Sequence, residues 1–147
     1  MRLRLATVDD VRQMSELRMS VKENALVSLR IADQEYVDAI TRDGRGWVAD
    51  IDGELVGFSV GLLGAKNLWA LFVKPGFEGR GIGLALVRAA FDWFHDEGVD
   101  EVTFTTAPDT RADRFYAELG CRRGELVAHG DVAYTWSRAA WVRVRGS

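Results

Sequence analysis

An apolar run, Leu68-Trp69-Ala70-Leu71-Phe72-Val73, is stopped by Pro75 and Gly76, and the glycine-rich segment Glu78-Gly79-Arg80-Gly81-Ile82-Gly83 follows. Leu84, Leu86, Val87, Ala90, Phe91 and Phe94 then recur at helical spacing until Gly98 closes the pattern. The apolar run has the length of a strand and reads as one buried on both faces. The order is therefore strand, glycine turn, helix. The first turn of a helix carries backbone N–H groups without an intrahelical partner, at the positive end of the macrodipole. Glycines let the main chain approach an anion with no Cβ in between. A phosphate-bearing ligand is what this arrangement predicts.

The spacing separates the phosphate ligands. A Walker loop needs Gly-Lys followed by Ser or Thr, and the chain contains no such triplet. A dinucleotide fingerprint begun at Gly79 and Gly81 would need its third glycine where Leu84 stands. Asp109, after the next strand, could stand in for the ribose-binding acid of that motif. That fold also needs parallel strands on both sides, and the surrounding pattern is antiparallel. Trp47 to Ile51 runs into Asp52-Gly53, a strong hairpin signal, and Leu55 to Leu63 returns.

The remaining elements follow from periodicity. Arg2 to Ala6 alternates as a half-buried strand does, and Thr7 with Asp10 resembles a capping box. Val8, Val11, Met14, Leu17 and Val21 predict a helix to about Lys22. Asp33 reads as the N-cap of a second, shorter helix ending before Gly44. Glu101 to Ala107 reads as a strand, and Asp109 or Thr110 caps a helix carrying Ala112, Phe115, Tyr116 and Leu119. A last strand pair flanks Gly130-Asp131, and residues 139–147 read as a loose or strand-extending tail. The class is α+β: a mixed, mostly antiparallel central sheet flanked by helices on both faces, with one right-handed parallel crossover, in a single domain over 1–147.

Composition excludes several functions. The chain has 147 residues, 48% of them hydrophobic, with a net charge of −3 and no basic surplus of the kind nucleic-acid binders show. The arginines at 111, 114, 122, 123, 143 and 145 read as solvated surface. No apolar run reaches the roughly 20 residues of a membrane span, and no signal-peptide pattern opens the chain, so no membrane is expected and the cytoplasm is the expected location. Cys121 is the one cysteine, and His95 and His129 stand far apart, which gives no metal-ligand spacing. Trp47, Trp69 and Trp93 read as core, whereas Trp136 and Trp141 are candidates for a subunit interface in a homodimer.

Two motifs carry a family resemblance. Val73-x-Pro75-x-x-Glu78-x-x-Gly81-x-Gly83 between strand and helix resembles the acyl-CoA pyrophosphate loop of the GNAT superfamily of N-acyltransferases. Gly81 and Gly83 match; Glu78 stands where the family usually has Arg or Gln. Ala112-x-x-Phe115-Tyr116-x-x-Leu119-Gly120 resembles the family's fourth helix, with Cys121 replacing the usual Phe and Asp109 standing where Asn is common.

The resemblance implies acetyl-CoA as acyl donor, with no metal, and direct transfer to a primary amine of a small molecule or peptide. It implies that Glu78, Gly79, Arg80, Gly81, Ile82, Gly83 and Leu84 surround the pyrophosphate, with Asp109 also on the cofactor side. The backbone of Leu71, Phe72 and Val73, next to a strand bulge, would pair with the pantetheine arm and polarise the thioester carbonyl. Tyr116 would protonate the departing thiolate. The central strand lacks the Glu that relatives often use as a base, which leaves Glu23, in the region that covers the acceptor site in relatives, or water. A non-catalytic acyl-CoA-binding sensor or interaction module of the same fold is the alternative, and the missing strand Glu is its support.

Overall fold

A computed structural model describes residues 1–21, 32–127 and 130–146. The chain forms two compact units, Met1–Ala90 and Phe91–Ser147.

In the first unit β1 (Arg2–Leu5) leads through a 3-10 turn into α1 (Val11–Val21). The Thr7 N–H donates to Asp10 Oδ2 at 2.8 Å, the reciprocal cap read from the sequence. Arg4 forks both oxygens of Asp10 at 2.8 Å and reaches Asp50 at the same distance, which ties the sheet edge to the helix start. α2 (Asp33–Asp38) continues as a wide turn to Asp43, with Ala32, not Asp33, at its cap. β2 (Gly44–Ile51), β3 (Glu54–Leu62) and β4 (Asn67–Val73) complete an antiparallel sheet in the order β1-β2-β3-β4. Asp52 and Gly53 both take positive φ, as a tight hairpin turn requires.

One face of this sheet buries Val48, Phe58, Val60 and Ala70 against Val11, Met14, Leu17 and Tyr36. The other face receives the first turns of α3 (Ile82–Asp96). Gly57 makes that approach possible, because a Cβ there would lie 2.9 Å from Leu86 Cδ1 and 3.1 Å from Ile82 Cγ2. Beside it the buried Ser59 hydroxyl donates to the Leu86 carbonyl at 3.0 Å. Helices thus cover both faces of β3, and this is the strand buried from Leu55 to Gly61. β4 departs from the expectation: only Leu68 and Ala70 are buried, and Leu71, Phe72 and Val73 are half-buried. The glycines that open α3 put no side chain over the end of the strand.

In the second unit β5 (Glu101–Thr106), α4 (Arg111–Glu118), β6 (Arg122–Leu126), β7 (Val132–Ser137) and α5 (Arg138–Gly146) follow in order. β7 pairs antiparallel with both β5 and β6. Residues 138–146 are a helix, not the loose or strand-extending tail that the sequence suggests for 139–147. Trp141 fixes it: the indole N–H donates to Asp92 Oδ1 at 2.8 Å and the ring packs edge-on against Phe91. Arg145 adds an ion pair to Asp92 at 3.0 Å. Trp136 and Trp141 are 1% and 2% exposed inside this unit, so neither is the interface anchor the sequence reading makes it. The class is α+β, as expected. No described helix is long and apolar enough to cross a membrane.

Candidate functional site

The pairing of β3 with β4 decides which backbone groups are available. The Lys74 N–H donates to the Val56 carbonyl at 2.8 Å. In the alternating antiparallel pattern Phe72 and Ala70 then turn their N–H and C=O toward β3, and Leu71 and Val73 turn theirs away from it. Of the three strand residues proposed for an acyl-CoA arm, Phe72 therefore spends its backbone in the ladder. The register also shifts in β4: Val60 faces Ala70 and Gly61 faces Leu68, which leaves Trp69 as the extra residue of a bulge.

From Val73 the chain passes through a turn closed by the Phe77 N–H on the Lys74 carbonyl at 3.0 Å. Gly79 and Gly81 take φ of 77° and 82°, a region that disfavours side chains. The first helical bond of α3 runs from the Ala85 N–H to the Gly81 carbonyl at 3.1 Å. The N–H groups of Ile82, Gly83 and Leu84 precede it and have no intrahelical acceptor. A Cβ built on Gly83 would meet only Val73 Cγ2, at 3.6 Å. β4 and the helix start are thus adjacent, and three amides converge with no side chain of Gly81 or Gly83 above them.

Glu78 and Arg80 differ in their use. The Glu78 carboxylate accepts from the Gly76 N–H at 3.0 Å, so it is folded back into its own turn. Arg80 stacks its guanidinium 4.8 Å from the Phe77 ring centroid, and no described carboxylate pairs with it. Arg80, just before the helix start in sequence, is thus a cation without a described carboxylate partner, and the Glu78 carboxylate is occupied.

The other face of β4 carries a cluster that the sequence reading missed. Tyr36 stands edge-on to Trp69 at 5.3 Å and to Phe58 at 6.3 Å, and Phe58 lies 5.6 Å from Phe72. Arg18 of α1 places its guanidinium 5.5 Å from the Phe72 ring centroid. Burial pushes the Tyr36 hydroxyl above its ordinary pKa, and Arg18 pulls it back through its charge and a hydrogen-bonding interaction with that hydroxyl. A signal was present in the sequence. Arg18 falls four residues after Met14 and seven after Val11, on the apolar stripe of the helix.

Tyr116 and Asp109 belong to the second unit. Thr110 caps α4 by accepting from the Asp113 N–H at 3.2 Å, and the Asp109 N–H, at a φ of 59°, donates to Asp113 Oδ2 at 2.9 Å. Asp113 is held well below the usual carboxylate range, first by Arg123 and then by the Tyr134 hydroxyl. Tyr116 packs 4.5 Å from Phe104 and is 5% exposed. Its hydroxyl has no hydrogen-bond partner among the described residues, and burial raises its pKa, so the phenol is neutral near pH 7. Glu23 and His129 lie outside the described residues. Among the described residues no group of three His, Cys, Asp or Glu gathers as a metal site.

The profile of the acetyltransferase (GNAT) family matches residues 11–121, and the chain belongs to that family. Over 146 residues it is 32% identical to an uncharacterized N-acetyltransferase of Archaeoglobus fulgidus, covering 88% of this chain and 99% of that one. Over 83 residues it is 35% identical to the L-2,4-diaminobutyric acid acetyltransferase of Nocardia farcinica, across 52% of this chain and 43% of that protein's length. The crystal structure of PaiA N-acetyltransferase from Thermoplasma acidophilum, in complex with coenzyme A, superposes with a TM-score of 0.78 at 19% identity. That likeness covers 93% of this chain and 99% of the other, and it establishes the shared fold.

Proposed function

We propose that this chain transfers the acetyl group of acetyl-CoA directly to a primary amine. The observation that carries the reading is the start of α3: amides at Ile82, Gly83 and Leu84 without an intrahelical acceptor, glycines on either side of Ile82, and Arg80 without a carboxylate partner among the described residues. These are groups suited to a pyrophosphate, because backbone N–H donors and the helix dipole favour a dianion where no Cβ stands in the way. The backbone N–H groups of Leu71 and Val73, turned away from β3, are the candidates for holding the pantetheine amides and the thioester carbonyl. Family membership and the coenzyme A complex of a fold relative support the same donor.

In the reaction we infer, the neutral amine nitrogen attacks the thioester carbon and its C=O electrons move to oxygen. Collapse of the tetrahedral intermediate re-forms C=O and breaks the C–S bond. The thiolate takes a proton from Tyr116, the phenol is reprotonated from solvent, and the amine nitrogen gives its extra proton to water. The products are an N-acetyl amide and coenzyme A.

The test of the donor half is thermal unfolding. At a hundredfold excess over its Kd, acetyl-CoA adds roughly 2.7 kcal/mol of stability, with or without EDTA. A melting temperature that ignores acetyl-CoA contradicts the reading. The second reading, an acyl-CoA-binding module without turnover, is favoured by a β4 that carries no Glu or His between Asn67 and Val73. Coenzyme A release in the presence of an amine panel separates the two.

A further inference from the structure

We propose that Arg18 recognises a carboxylate on the amine acceptor, so that the substrates are amino acids or similar amino-carboxylates; this rests on the transferase reading above. Arg18 is half-buried, its guanidinium lies 5.5 Å from the centroid of the Phe72 ring and reaches the Tyr36 hydroxyl, and no described residue gives it a carboxylate. The arginines of the first unit that do have a described carboxylate partner are engaged outside this face: Arg4 with Asp10 and Asp50, Arg12 with Glu16, Arg42 with Asp38 and Asp43. Among the described residues, Arg18 is the cation placed over this aromatic face.

The chemistry of the place suits a carboxylate. A guanidinium has five N–H donors in a planar fork, so one held over a ring and beside the Tyr36 hydroxyl keeps donors that can pair with both oxygens of a carboxylate. The surroundings are Tyr36, Phe58, Trp69 and Phe72, a mostly buried apolar floor. Low dielectric on one side strengthens the pairing relative to a solvated surface arginine. The position in the strand matters too. Phe72 lies between Leu71 and Val73, whose backbone groups are the candidates for the thioester. Its side chain carries Arg18 on the face of β4 opposite α3. A carboxylate bound there sets an amine a few bonds away close to the acyl end of the donor. Asp33 and Glu35 add weaker negative fields at the Tyr36 hydroxyl, so an acceptor with separated positive and negative groups meets both signs.

The experiment measures coenzyme A release by the full chain with each common amino acid, L-ornithine and L-2,4-diaminobutyrate, each paired with its decarboxylated amine. The wild type is expected to favour the carboxylate-bearing member of at least one pair by about tenfold to a hundredfold in kcat/KM, mostly through KM, as loss of one charged hydrogen-bonding partner implies. Arg18→Gln brings that ratio to about one, and Arg18→Lys restores part of it. Equal use of both members by the wild type, turnover only with amines that carry no carboxylate, or a preference that survives Arg18→Gln overturns the proposal while leaving the transferase reading intact. Acetyl-CoA binding without turnover on any amine overturns the transferase reading, and the proposal with it.

Discussion

Two buried tyrosines of the second unit make a useful contrast. The Tyr134 hydroxyl donates to Asp113, whose carbonyl oxygen is 2.6 Å away, and that contact locks β7 to α4. The Tyr116 hydroxyl bonds to no described residue, although a buried phenol usually finds a partner. Phe104, Phe115 and Tyr134 hold the ring, and on the reading proposed above its hydroxyl is the proton donor to the thiolate. Tyr116→Phe should therefore keep the fold, with a melting temperature close to wild type, and keep acetyl-CoA affinity. Turnover should fall by roughly 10²–10⁴, the usual worth of general-acid help. Stopped-flow or steady-state coenzyme A release with a confirmed acceptor checks this; undiminished kcat assigns the proton to water. The helix that carries Tyr116 was legible because its apolar positions recur at helical spacing and Gly120 bounds it. Arg18 was not, because a single arginine on an apolar stripe becomes meaningful only when strand β4 puts Phe72 beneath it.

At the scale of elements, the glycine turn and α3 are where the proposed reading puts the donor, and that proposal can be tested apart from stability. Gly83→Val adds bulk where a Cβ has only Val73 Cγ2 for a neighbour, at 3.6 Å, so packing is tolerant and the helix loses a few tenths of a kcal/mol at most. The new methyl groups stand over the amides of the first turn. Acetyl-CoA affinity should fall at least tenfold in calorimetry while the melting temperature of the unliganded protein barely moves; unchanged affinity moves the phosphates elsewhere. This element was readable because all its determinants are local: an apolar run, a proline, glycines at fixed spacing and a periodic helix. α5 was not readable for the opposite reason. Its helical state depends on Asp92, which is 49 residues from Trp141 and 53 from Arg145. The exposure of β4 was misread in the same way, since an apolar run does not reveal that glycines will face it.

For the whole molecule, the perturbed groups set a pH window of stability. Arg4 holds Asp10, and Arg123 with Tyr134 holds Asp113, below the ordinary carboxylate range. The native state therefore binds fewer protons than the unfolded chain in acid, and stability present above a pKa of about 4 is lost as the pH falls toward the depressed native values. Burial acts at the other end. It pushes the Cys121 thiol up to about 12 and the Tyr134 phenol up to about 12, and the unfolded forms ionise earlier, near about 8.5 and about 10. Stability from keeping these groups neutral is complete below about 8.5 and declines as the pH rises toward 12. Urea midpoints measured across pH should thus form a plateau from about 4 to about 8.5 and drop on both sides. Asp113→Asn should lower the plateau and flatten its acid side, because the Arg123 pairing that protonation removes is already gone. Cys121→Ala should remove the first part of the alkaline decline and leave the part above about 10, where Tyr134 titrates. A midpoint that stays level between pH 9 and 11 in the wild type would mean that the thiol and phenol titrate alike in the native and unfolded chains, and would overturn burial of these groups as a source of alkaline instability.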